Sequence, residues 1–225
     1  MEYRIGLRPS RLSLRQAEEA QGLLPQLKFN LIPIQTRGDR DKHTSLFNVE
    51  GSDFFTREIE EALLNRSIDA AVHSAKDVEE TMPAGLVIAA ITASISPYEC
   101  LVCRKQQKLS GLPAGARIGT SSAKRKEALN HFRPDLAVAD IRGSIEERLA
   151  QLDNNKYDAV IMAHAALIRL GYEERISEII SPEIIPPHPL QGSLAIQVRA
   201  GDTGLIRLFS AIDTRKEALP DEDKS

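Results

Sequence analysis

Cysteine is scarce in this chain. Cys100 and Cys103 are the only two among 225 residues, which excludes a disulfide framework and leaves half of a zinc or redox motif with no second Cys or His pair at a suitable distance. A strand would set the two thiols on opposite faces, so they read as buried and reduced. Charge of one sign is missing too: 29 Lys and Arg against 32 Asp and Glu give a net charge of -3, and no global basic field points to nucleic acid or a membrane surface. Any anion site must be local. No apolar run is long enough to span a bilayer, and Met1 to Arg8 lacks the apolar core of a signal peptide. The reading is a cytoplasmic protein with no metal. What is present is 42% hydrophobic residues, enough for a real core in one large domain or two small ones.

The most informative stretch runs from Asp69 to Val78. Ala70, Ala71 and Val72 read as a short buried strand ending in His73, Ser74, Lys76 and Asp77, and open α/β sheets bind ligands at the carboxyl ends of their strands. A lysine beside a carboxylate at such an edge can hold an anionic group and handle a proton or a developing cation. The same residues also fit a solvated loop with a salt bridge. Upstream, Arg4 to Arg8 reads as a first strand and Leu12 to Leu24 as a helix capped by Ser10. Arg8 then stands beside a helix amino end, as a carboxylate clamp or as an ordinary solvated arginine.

Downstream, a strand ending at Ile118 meets Gly119, and Thr120, Ser121 and Ser122 begin a helix carrying Lys124, Arg125 and Lys126. Hydroxyls and backbone N–H groups at a helix start make an anion pocket. Cations there oppose the helix dipole and cost stability unless an anion or solvent screens them, which favours a binding role over a generic capped helix. Further strands are read at Phe29 to Gln35, Leu86 to Ile91 and Leu136 to Asp140, and helices at Phe54 to Leu64 and Leu205 to Leu219. Tyr157 to Leu170 is a buried strand running into a helix, with His164 as a satisfied core histidine. Residues 40 to 53 are polar and without period, as in a mobile lid.

Residues 68–78, IDAAVHSAKDV, resemble the signature of the porphobilinogen deaminase family, also called hydroxymethylbilane synthases. These transferases of porphyrin biosynthesis join porphobilinogen units head to tail with loss of ammonia. The resemblance covers nearly the whole chain in the same order. It implies that Arg8 and Ser10 contact the pyrrole chain, that Phe55 packs near it, and that Asp77 is catalytic, with Ser74 and Lys76 beside it. It also implies ligand contacts by Thr120, Ser121, Ser122, Lys124 and Arg125. Arg142 and Arg148 match arginines that hold acetate and propionate groups, Arg169 matches another ligand arginine, Gly143 allows close backbone approach, and Gln191 stands at the return crossing before Gly192. The chain departs from the pattern at Arg11, where proline is usual; at Ser52 and Asp53, for lysine and glycine; and at Lys124, where arginine's bidentate geometry is lost. Thr92 to Pro97 lacks the family's arginines, Ser144, Glu146 and Glu147 make the pocket less positive, and His164 replaces a small apolar residue.

The fold implied is α/β, a type II periplasmic-binding-protein-like arrangement of two domains with mixed sheets and a ligand cleft between them. Residues 1–96 plus 193–220 form the first domain and 97–192 the second, inserted in it. The family continues into a third domain whose cysteine holds a dipyrromethane cofactor; the sequence ends before it, and neither Cys100 nor Cys103 lies in a matching motif. The small-molecule partner expected is porphobilinogen, with no nucleic acid or membrane partner. Two functions follow. One is a short deaminase in which Asp77 stabilises cations as ammonia leaves, by electrostatic preorganisation. The other is a non-catalytic two-domain binder of an anionic pyrrole or other carboxylate ligand.

Overall fold

The computed structural model describes residues 2–41, 44, 53–79 and 82–215. They fall into two units: the described residues within 1–40, 53–95 and 193–225, and those within 41–52 and 96–192. The first unit begins with β1 (Glu2–Leu7), α1 (Arg11–Leu23), β2 (Lys28–Pro33) and the single turn α2 (Arg37–Arg40), followed by α3 (Arg57–Leu64), β3 (Ala70–Ser74) and β4 (Leu86–Ile91). The second contains β5 (Glu99–Cys103), β6 (Arg117–Thr120), α4 (Ala123–Phe132), β7 (Ala137–Asp140), α5 (Ile145–Asp153), β8 (Ala159–Ala163), α6 (His164–Leu170) and β9 (Glu178–Ile180). The chain then returns to the first unit with β10 (Leu194–Arg199) and α7 (Thr203–Phe209).

Each unit has one five-stranded mixed sheet, and the two share a plan. The orders are β2-β1-β3-β10-β4 and β7-β6-β8-β5-β9. Three parallel strands are followed by one antiparallel strand and its antiparallel partner in both. β10 is buried along its whole length, as a strand covered on both faces must be. Its Leu194, Ile196 and Val198 join Ile5, Leu24 and Phe209 on one face of the sheet. On the other face, Ile59, Leu63, Ile68 and Ala71 form a separate cluster under α3. Arg199 closes that side by donating from Nη1 to the carbonyls of Leu63 and Ile68, both at 2.7 Å. In the second unit Cys100 and Cys103 do fall in different clusters, one on each face of β5.

Several boundaries differ from the sequence expectation. Phe54 to Leu64 is not one helix: a 3-10 turn, Asp53–Phe55, precedes α3, and Thr56 between them has φ -120°, outside the helical range, so the two do not merge. The helix expected from Leu205 to Leu219 ends at Phe209 and gives way to a 3-10 turn, Ser210–Ile212. Beyond that turn the edge of β4 captures the chain, the Asp213 carboxylate accepting from Ile91 N–H at 2.9 Å and Arg215 Nη2 donating to the Ile88 carbonyl at 2.9 Å. Residues past Arg215 lie outside the described part. His164 is only partly buried, at the first position of α6 with Nδ1 2.9 Å from the Ser96 hydroxyl, and so is satisfied at the surface of the core rather than inside it. The lid expected over residues 40 to 53, with Ser52, falls outside the described residues except for Arg40, Asp41, Thr44 and Asp53. No described helix is long and apolar enough to cross a membrane.

Candidate functional site

Within the first unit the carboxyl ends of β1 and β3 open into a cavity of about 60 Å³ whose walls include Arg8, Ser10, Ser13, Phe55, Ser74 and Asp77. Local sequence sets each of them. β1 ends at Leu7, so Arg8 leaves the sheet edge, and Ser10 caps α1 by accepting from Ser13 N–H at 3.1 Å. β3 ends at Ser74, and a 3-10 turn, Ala75–Asp77, carries the Asp77 side chain to an exposed position on the cavity wall. Lys76, half-buried, lies on the same turn. Four residues singled out from sequence, Arg8, Ser10, Phe55 and Ser74, thus meet Asp77 in one cavity.

The Arg8 guanidinium is held on two sides. Its carbon sits 4.1 Å from the centroid of the Phe55 ring, a cation–π contact, and its Nε and Nη2 donate to Asp39 Oδ1 at 3.0 and 2.5 Å. Gly38 makes room for that ring: a Cβ there would lie 2.2 Å from Phe55 Cε1. Burial alone would raise the Asp39 carboxyl, but hydrogen bonds and charge from Arg8, with help from Thr36 N–H and hydroxyl, hold it below the ordinary range. Gln16, another wall residue, donates from Nε2 to Ser74 Oγ at 2.7 Å and fixes that hydroxyl. His73 also lines the cavity. Burial lowers its pKa to about 4, and its Nε2 lies 3.0 Å from Gln197 Oε1. Neither Gln197 nor its neighbour Glu60 carries a sequence signal for this placement.

The second unit holds the other predicted residues. Thr120 is fully buried at the end of β6, Ser121 Oγ donates to the Ile141 carbonyl at 2.8 Å, and Ser122 is the N-cap position of α4. Lys124 is exposed in the first turn of that helix. Arg125, expected to hold a ligand carboxylate, instead turns inward at 8% exposure, with Nε 2.8 Å and Nη2 2.7 Å from the two carboxylate oxygens of Glu99. A buried carboxylate needs such a partner, and β5 brings Glu99 to it. Arg142 donates to the Asp41 carbonyl, and Arg148 Nε to the Gly143 carbonyl at 2.9 Å. Gly143 has φ +106°, a value that L side chains avoid. Arg169 Nη2 donates to the Gly192 carbonyl at 2.8 Å, and buried Gln191 donates to the Pro97 and Tyr98 carbonyls at 2.9 and 3.1 Å.

Neither thiol is presented for chemistry. Cys100 is fully buried, donates to the Met162 carbonyl at 3.4 Å, and is pushed up to about 12 by burial and by the nearby Glu99 charge. Cys103 is buried in the opposite cluster.

Residues 3–207 match the family model described as porphobilinogen deaminase, dipyromethane cofactor binding domain. Among curated relatives, a porphobilinogen deaminase of Dichelobacter nodosus is 44% identical over 201 residues, 88% of this chain and 66% of that protein. One of Syntrophotalea carbinolica is 41% identical over 220 residues, 96% of this chain and 70% of that protein. The chain therefore spans about two-thirds of the length of such relatives. Among solved structures, a nutrient binding protein from Burkholderia cenocepacia bound to methionine superposes with a TM-score of 0.57 at 13% identity, covering 92% of this chain and 89% of that one. A putative methionine-binding lipoprotein from Bacillus subtilis gives 0.56 at 16%, covering 96% and 91%. At such identities the likeness concerns fold alone: the type II periplasmic-binding-protein-like fold with two mixed sheets.

Proposed function

The chain belongs to the porphobilinogen deaminase family, and on that premise we propose that it binds a carboxylate-bearing pyrrole, taking the ligand into the cavity of the first unit. The observation that carries this reading is the pairing of a guanidinium stacked on an aromatic ring with three serine hydroxyls and a carboxylate on one cavity wall. Arg8 offers charge-assisted hydrogen bonds to a carboxylate, Phe55 a flat apolar surface, and Ser10 and Ser74 short polar contacts. For the second unit taken by itself, we propose that Thr120 to Lys124 at the start of α4, with Arg142, Gly143, Arg148, Arg169 and Gln191, serve in carboxylate binding.

A second reading, polymerisation of porphobilinogen with release of ammonia, is favoured by one feature: Asp77. Binding an anion gives no reason to expose a carboxylate on a wall that also carries an arginine. A fixed carboxylate there would stabilise positive charge developing on the aminomethyl carbon as ammonia departs. The family's dipyrromethane is held through a thioether, which needs an accessible thiolate. Buried Cys100 and Cys103 do not fit that role, so no step is assigned through it.

Calorimetric titration of the purified chain with porphobilinogen tests the first reading, with ammonia release followed in the same samples for the second. Binding is expected, weakened about tenfold or more by Arg8→Ala, the loss of one or two charged hydrogen bonds. No binding, or binding indifferent to Arg8, would refute it. If ammonia is released, Asp77→Asn should abolish release and leave binding in place.

A further inference from the structure

Three buried polar side chains of the first unit, His73, Gln197 and Glu60, take no part in the contacts assigned above. They form a chain. His73 Nε2 is 3.0 Å from Gln197 Oε1, and Gln197 Nε2 is 2.9 Å from Glu60 Oε1 and 3.5 Å from Met82 Sδ. The three are 5%, 0% and 6% exposed. β3 and β10 set the spacing: Ala71 stands opposite Gln197 and His73 opposite Ala195, so the histidine and the glutamine project from the same face, toward α3 and its Glu60.

This chain dictates a tautomer. A carboxylate and a thioether both accept hydrogen bonds, so the Gln197 amide nitrogen must face Glu60 and Met82 and its carbonyl oxygen must face His73. The carbonyl can only accept, so the proton of the neutral ring sits on Nε2. Nδ1 is then an acceptor. The charged groups around the ring are Arg8 after β1, Asp77 on the turn after β3, and Glu60 on α3 behind Gln197. Burial outweighs the pull of Asp77 and keeps the ring neutral. His73 is at once an anchored core residue and part of the cavity wall that holds Arg8, Ser74 and Asp77. With Nε2 committed to the core, the ring's other nitrogen is its one polar atom left for a ligand.

We propose that His73 is a specificity-determining residue of this cavity, held by Gln197 and Glu60 as the Nε2–H tautomer so that Nδ1 accepts a hydrogen bond from a ligand N–H. The inference rests on the binding reading above and adds the ligand feature that is read: an N–H donor, on the pyrrole ring or on an aminomethyl arm. Gln197 and Glu60 are positioning residues in this scheme.

The test is nuclear magnetic resonance of the full chain labelled with ¹⁵N-histidine, before and after adding porphobilinogen. In the free protein His73 is expected to show protonated Nε2 and bare Nδ1, unchanged between pH 8 and about pH 5. Porphobilinogen should move Nδ1 upfield, toward the hydrogen-bonded position, and leave Nε2 in place. The N-methylated pyrrole separates the two donors: loss of the shift assigns the ring N–H, and its persistence assigns the aminomethyl group. Gln197→Met, similar in length but without the amide, is expected to mix the tautomers and weaken porphobilinogen about tenfold. A proton on Nδ1 in the free protein would overturn the proposal, as would an unmoved Nδ1 under a ligand whose binding Arg8→Ala weakens. If porphobilinogen does not bind at all, the binding reading falls and this inference with it.

Discussion

At His73 the folded state refuses a proton that the unfolded chain accepts readily. The pKa is about 4 when folded against an ordinary 6.5, so the folding free energy tied to this ring is fully present above about pH 6.5 and is lost as pH falls toward 4. The difference corresponds to about 3 kcal/mol. Glu60 works the other way: burial raises its carboxyl above the ordinary value, so protonation in acid relieves a penalty and offsets part of the loss. Urea unfolding between pH 7 and pH 4 should show falling stability, and in His73→Gln that fall should be largely absent. A second loss is expected only below about pH 4, as protons reach carboxylates held low. Arg4 hydrogen bonds lower Asp69, and Arg8 overcomes burial at Asp39. Asp39→Ala removes the acceptor for Arg8 Nε, Thr36 N–H and Thr36 Oγ1. It should destabilise the protein at pH 7 by about 1–3 kcal/mol, and in acid this difference from the parent should shrink, since the parent's carboxyl is then protonated.

Among elements, the start of α5 shows how tightly backbone and side chains depend on one another. Ser144 and Glu147 form a reciprocal capping box, the preceding Gly143 sits at φ +106°, and a Cβ there would come within 2.6 Å of Glu147 Oε2 and 2.8 Å of its Cβ. Gly143→Ala must break the box, strain the backbone, or both, and should cost about 1–3 kcal/mol; Ser144→Ala, which removes only the cap, should cost about 1 kcal/mol. Thermal melts of the two variants check the order. Elements of this kind were partly legible in sequence. β3 was readable because three small apolar residues run into polar ones, and α1 because Ser10 precedes a helical period. β10 carries no clean strand pattern in the sequence: Gln197 and Arg199 interrupt its apolar run, and only the fold explains them, one as a partner of His73 and Glu60, the other as a clasp on the Leu63 and Ile68 carbonyls. Arg125 looked like its neighbours Lys124 and Lys126, because the residue that turns it inward, Glu99, lies 26 positions away.

For the whole molecule, the order of strands makes an asymmetric demand on the chain. All five strands of the second sheet come from the uninterrupted stretch 99–180, and its core clusters draw on the residues around it, Cys100 to Ile185. The first sheet cannot close until that stretch has been made, because β10 lies between β3 and β4 and hydrogen-bonds to both. Residues 1–95 alone would leave those strands without the ladder that joins them, and would lack Leu194, Ile196, Val198 and Phe209 from the core. Burying such side chains is worth roughly 1.5–3 kcal/mol each, a sum comparable to the net stability of a small domain, about 5–15 kcal/mol. A fragment spanning residues 96–192 should therefore unfold cooperatively in urea with native-like circular dichroism, whereas residues 1–95 should show no cooperative transition. Adding residues 193–215 as a separate peptide should restore a transition to the 1–95 fragment, dependent on peptide concentration as mass action requires. A sharp unfolding transition in 1–95 by itself would mean that β3 and β4 find another partner, and that β10 is not the strand on which the first sheet depends.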